Sequence, residues 1–90
     1  MARILIVDDE PDLRELLSDV LDDGSHQTVE APTAEKALVL LEVRAFDLLI
    51  TDLKMPGMGG AKLVAIARDR WPEMEVVVLT AHGSIGSAVD

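Results

Sequence analysis

Asp52 closes the run Asp47-Leu-Leu-Ile-Thr-Asp52, and a Met55-Pro-Gly57 turn follows shortly after. Ile4-Leu-Ile-Val7 is closed in the same way by Asp8-Asp9-Glu10-Pro11, and Glu75-Val-Val-Val-Leu is closed by Thr80. Continuous apolar runs of this length read as parallel strands buried on both faces. In an open α/β sheet, ligands bind at the carboxyl ends of such strands. Asp8, Asp9 and Asp52 brought to one edge would repel one another, and desolvation would add to the cost, so a cation is expected among them. Oxygen ligands suit a hard divalent ion, Mg2+ above all. A carboxylate beside such an ion is also a nucleophile toward phosphorus, giving an aspartyl-phosphate on Asp52. The Thr80 hydroxyl and backbone N–H groups of the loops after Asp52 and Thr80 are suited to donate to the phosphoryl oxygens. Taken singly, an Asp-Asp pair before a helix is a cap, a strand-ending Asp a turn residue and a strand-ending Thr a β-former. Their joint placement at one edge is what points to a site.

The elements that must hold these residues alternate along the chain. After the first strand, Pro11 suits the first turn of a helix, with Asp9 or Glu10 as its cap. Leu13, Leu16, Leu17, Val20 and Leu21 fall at helical spacing, and Gly24 is the stop. Gln27 to Ala31 is a short second strand. Thr33 caps a helix from Ala34 to about Arg44, with Ala37, Leu38, Leu40 and Leu41 as its apolar face; Lys36 stands where a capping box would place an acid. The third strand is Asp47 to Thr51, closed by Asp52. A third helix runs from Ala61 to about Arg70 and ends at Trp71-Pro72. The fourth strand spans Glu75 to Thr80, and Ile85 to Asp90 reads as a helix beginning. This order, βαβαβαβ, with right-handed crossovers, predicts a doubly wound α/β parallel sheet of strand order 2-1-3-4. Strands one and three then lie side by side, about 4.8 Å apart, and their terminal acids converge.

Composition narrows the classes. The chain has 90 residues, enough for one domain spanning 1–90, and 49% of them are apolar, enough for a core. No apolar run approaches the ~20 residues needed to cross a bilayer, so no membrane contact is expected. There are no cysteines, which excludes disulfides and thiolate metal sites and fits a cytoplasmic location. A net charge of -9 argues against direct nucleic-acid contact and favours a divalent cation or a basic partner surface.

On these residues the chain resembles the receiver domain of two-component response regulators. The matching pieces are Ile-Leu-Ile-Val-Asp8-Asp9-Glu-Pro, Leu-Leu-Ile-Thr-Asp52-Leu-Lys-Met-Pro-Gly-Met and Val-Val-Val-Leu-Thr80-Ala-His-Gly. The resemblance implies a flavodoxin-like fold and a phosphoacceptor Asp52 that takes its phosphoryl group from a sensor histidine kinase or phosphotransfer protein. It implies that Asp8, Asp9, Asp52 and the backbone carbonyl of Lys54 hold Mg2+. It makes Thr80 the switch hydroxyl and Ala81 the small residue that leaves room for the phosphoryl group. Lys54 and His82 match the flanking positions that tune autodephosphorylation. The Thr80-Ala-His-Gly-Ser84 stretch looks most like receivers of sigma-54-dependent transcription activators. The resemblance implies a signalling domain that assists its own phosphotransfer rather than an enzyme.

Two departures from the family pattern stand out. Gly59 replaces an acid that often precedes the glycine, which weakens the cap of the third helix. The fifth strand, with its lysine and aromatic residue, and the fifth helix have no counterpart, so the chain is expected to be a receiver incomplete at its C-terminus. Strand four would then be an edge, an apolar patch over strands one and three would be bare, and either self-association through that edge or only partial folding is expected. The competing expectation is a binding or assembly module that keeps the fold without the phosphorelay. A Mg2+-dependent phosphatase is disfavoured, because Lys54 stands where such enzymes carry a second acid.

Overall fold

The computed structural model describes residues 2–22 and 24–79. Four strands, β1 (Ala2–Val7), β2 (His26–Ala31), β3 (Leu48–Asp52) and β4 (Glu75–Leu79), alternate with three helices, α1 (Pro11–Leu21), α2 (Ala34–Val43) and α3 (Gly60–Arg70). The strands form one parallel sheet in the order β2-β1-β3-β4, as the sequence predicts. Element boundaries differ from the sequence expectation by a residue or so. His26 joins β2, Leu48 rather than Asp47 starts β3, and Gly60 rather than Ala61 starts α3.

Successive side chains on a strand point to opposite faces, and β1 is apolar on both. Leu5 and Val7 join Leu49, Leu63, Ala67, Ala34, Ala37 and Leu41 in the larger core beneath α2 and α3. Ile4, Ile6 and Ile50 face the other way and pack against Leu17 and Leu21 of α1. On that face Ile4, Ile6 and Ile50 are buried and Ala2 and Leu48 are half-buried, so among the described residues strands one and three show no fully bare apolar patch. The exposed large apolar groups among the described residues are Leu16 and Val20 on α1, Val39 and Val43 on α2, and Val77 on β4.

The orientation of α1 corrects the predicted apolar face. Arg14, Leu17, Ser18 and Leu21 turn inward, while Leu16 and Val20 face out. The cause is β2, a polar edge strand. Ser18 Oγ hydrogen-bonds Thr28 Oγ1 at 2.6 Å, and Arg14 Nε pairs with Glu30 Oε1 at 3.3 Å. Caps follow their side chains. Thr33 Oγ1 accepts from the Lys36 N–H at 3.1 Å, as expected of an N-cap. Glu10 occupies the cap position of α1 without a side-chain bond, and neither it nor Asp9 caps the helix. Gly59 caps α3 with no side chain to offer. Among the described residues, no helix is long and apolar enough to cross a membrane.

Candidate functional site

Strand register brings the acids together. Val7 lies opposite Ala31 on one side and Thr51 on the other, and Asp52 lies opposite Leu79. Asp8, one residue past Val7, and Asp52, one residue past Thr51, are therefore neighbours at the carboxyl edge. One carboxylate oxygen each from Asp8, Asp9 and Asp52 lie within 4.8 Å of one another. Asp8 (2% exposed) and Asp52 are buried, whereas Asp9 faces solvent.

Each buried acid is oriented by a main-chain donor two residues on. Asp8 Oδ1 accepts from the Glu10 N–H at 2.8 Å, and Asp52 Oδ1 accepts from the Lys54 N–H at 3.3 Å. The main chain of Asp8 is held as well. Its N–H donates to Ala31 O at 3.2 Å, and its carbonyl accepts from Arg14 Nη1 at 2.7 Å. Desolvation raises the Asp8 pKa above the usual carboxylate value; the Glu10 N–H opposes this, and the charges of Asp52, Asp9 and Glu10 add to the rise. A cluster of three acids in which one resists ionisation is suited to a cation, which removes the repulsion. The donor set, three carboxylates, is of the hard-oxygen kind.

The loop after Asp52 is pinned at two points that sequence reading missed. Glu35, in the first turn of α2, accepts the Met58 N–H on Oε2 at 3.1 Å. Gly57 has a φ of +80°, and a Cβ there would stand 2.8 Å from the same oxygen. The second point is Gly60. Its N–H donates to Leu53 O at 3.0 Å, and a Cβ would lie 1.7 Å from the Asp52 carbonyl oxygen. The Gly59-Gly60 pair is the signal that the sequence offers for this close approach. Arg14 and Glu35 gave no signal, being ordinary helix-surface residues by type. Thr80, Ala81 and His82 lie outside the described residues. His26 accepts the Ala2 N–H on Nδ1 at 3.2 Å.

A cleft of about 450 Å³ lies elsewhere. It opens at the amino ends of β3 and β4, between Phe46, Trp71, Met74 and Arg44. The acids at the opposite edge have the better chemical claim, because three carboxylate oxygens converge there.

Residues 4–90 match the response regulator receiver domain family. FleR, a response regulator protein of Pseudomonas aeruginosa, is 44% identical over 89 residues, covering 99% of this chain and 19% of FleR. GlrR, a transcriptional regulatory protein of Escherichia coli K12, is 41% identical over 88 residues, covering 98% of this chain and 20% of GlrR. The chain thus spans about a fifth of the length of these relatives. TrrA, a response regulator protein of Thermotoga maritima, is similar in two solved structures. In complex with Mg2+-BeF it gives a TM-score of 0.84 at 32% identity, covering 98% of this chain and 81% of TrrA. In complex with the histidine kinase ThkA the values are 0.86 and 34%, covering 100% and 82%. A family match that runs from the first buried strand through the acid-bearing loops makes this chain a member of the receiver domains of two-component response regulators.

Proposed function

We propose that this receiver accepts a phosphoryl group on Asp52, from a phosphohistidine of a sensor histidine kinase or phosphotransfer protein, with Mg2+ held by Asp8, Asp9, Asp52 and the Lys54 carbonyl. The convergence of three carboxylate oxygens within 4.8 Å at one sheet edge carries this reading. Bound there, Mg2+ would supply charge neutralisation for the carboxylates and the incoming phosphoryl group. The protein's own part is orientation. The Lys54 N–H occupies one oxygen of Asp52 and fixes its plane, leaving the other oxygen to bond to phosphorus as the donor's P–N bond breaks. Burial limits competition by water at the acceptor.

Thr80 as the switch hydroxyl, Ala81 as the small neighbour, and Lys54 and His82 as the residues that set autodephosphorylation complete the proposal. Support for a kinase partner comes from TrrA, solved with the histidine kinase ThkA. Support for a transcriptional output comes from GlrR, and the sigma-54-dependent subclass belongs to the same proposal. So does a cytoplasmic location.

The test is intact mass after incubation with acetyl phosphate and Mg2+, on wild type and Asp52→Asn. One added phosphoryl group, lost in the variant and without Mg2+, is expected. A folded wild-type sample that gains nothing, or a variant that still gains, would overturn the assignment.

A further inference from the structure

We propose that Arg14 is a positioning residue for the metal site, acting through the main chain of Asp8. This rests on the metal reading above. Arg14 lies on the inner face of α1 with a side chain only 16% exposed. Its guanidinium forks. Nη1 donates to the Asp8 carbonyl at 2.7 Å, and Nε reaches Glu30 Oε1 on β2 at 3.3 Å. The same residue's N–H donates to Glu10 O at 3.2 Å, so α1 begins on the loop that its side chain then holds. One side chain thus ties together the edge strand β2, the first turn of α1 and the peptide that follows Asp8.

The peptide matters because it sets where two acids point. Asp8 is anchored at its N–H by Ala31 O, at its carboxylate by the Glu10 N–H and at its carbonyl by Arg14. The Asp8 carbonyl belongs to the peptide that leads into Asp9, which is exposed. Removing the fork frees that peptide to rotate, and the carboxylates of Asp8 and Asp9 lose their common aim. Lysine cannot replace it, since a single ammonium lacks the planar fork that serves carbonyl and carboxylate together.

Charge and positioning predict opposite signs, which makes the inference testable. Arg14 brings a positive charge close to a site meant for a cation. If charge were its only influence, Arg14→Gln would bind Mg2+ more tightly, and Arg14→Lys would match wild type. If Arg14 positions the ligands, both variants bind more weakly, by about tenfold, the lower end of what loss of a ligand-supporting hydrogen bond does at metal sites. The experiment is calorimetric titration of the chain with MgCl2, with circular dichroism to check that each variant is folded. Arg14→Lys is the deciding variant where Arg14→Gln does not fold, because it keeps the charge and most of the packing. Weakened binding in folded Arg14→Lys supports the proposal; affinity equal to wild type overturns it, as does tighter binding by Arg14→Gln. A folded wild type that takes up no Mg2+ would overturn the metal reading and this inference with it. Wild-type binding with an unaffected Arg14→Lys would overturn this inference alone.

Discussion

Gly60→Ala is expected to be among the costlier single-methyl changes in this chain, although the position opens a helix where alanine is ordinarily welcome. An added Cβ would meet the Asp52 carbonyl oxygen at 1.7 Å, its carbon at 2.7 Å and Leu53 Cα at 2.8 Å. Favourable carbon contacts lie near 3.5–4.0 Å. All three neighbours are main chain, so no side-chain rotation relieves the clash. The start of α3 or the end of β3 must move by on the order of 1 Å through a close-packed interior. Overpacking of this kind costs roughly 1–3 kcal/mol, and main-chain neighbours argue for the upper end. Alanine returns at most ~1 kcal/mol in helix propensity, less at a first-turn position. The clash wins by about 2 kcal/mol. For a domain of this size each kcal/mol moves Tm by roughly 4–8 °C, so a fall of about 8–16 °C is expected. Thermal melts followed by circular dichroism, paired with urea midpoints, measure it. Because the carbonyl displaced is that of Asp52, acetyl phosphate labelling should also slow well below the melting range. An unchanged or raised Tm would refute the reasoning and show that α3 is not seated against Asp52.

Three further outcomes follow from the same geometry. Burial and neighbouring charges raise the Asp8 pKa above its ordinary 3.8, so between that value and the raised one the native state binds more protons than the unfolded chain. Without divalent ions, wild-type stability should therefore fall as pH rises from 3.8 through that window, while Asp8→Asn should lack this fall; identical urea midpoints across pH would contradict it. At pH 7, Asp8→Asn should be the more stable of the two in chelator and should lose that advantage in saturating Mg2+. Thr33→Ala removes the cap on the Lys36 N–H and should cost ~1 kcal/mol in urea, with Thr33→Asp restoring it. Leu16→Gln, at an exposed position, should stay within about 0.5 kcal/mol of wild type. Leu17→Ala, against the Ile4, Ile6 and Ile50 cluster, should cost about 2 kcal/mol or more. A large loss at Leu16 would mean that something covers α1.

The sheet was legible because its strands carry their own punctuation. Ile4–Val7 and Leu48–Ile50 are unbroken apolar runs, and within two residues each is followed by an acid that a buried strand interior would not hold. The order 2-1-3-4 then follows from parallel pairing and the handedness of crossovers. The face of α1 was not legible from α1 alone. Five apolar residues at helical spacing pointed to Leu16 and Val20 as core, but what decides a helix's rotation is the surface it meets. Here β2 offers Thr28 and Glu30, and these select Ser18 and Arg14. Gly60 shows the same limit in the backbone. Two adjacent glycines mark a loop, but which of them has no room for a side chain depends on how close α3 docks to the Asp52 carbonyl.

The two buried acids are built alike. Each ends or directly follows an interior strand, and each turns one oxygen onto the N–H two residues ahead, Asp8 onto Glu10 and Asp52 onto Lys54. This local turn is available to Asp and Asn because their carbonyl oxygen sits at the right reach. It orients the carboxylate without a second side chain, so the turn bond fixes the plane in which each acid presents its oxygens to the site. Asparagine can keep the turn bond while removing the charge, whereas alanine loses both. Asp8→Asn and Asp52→Asn therefore separate the electrostatic role of each acid from its part in shaping the loop. If Asn and Ala variants proved equally destabilised, the turn bonds would have no part in holding the edge, and the site's geometry would have to come from the strands alone.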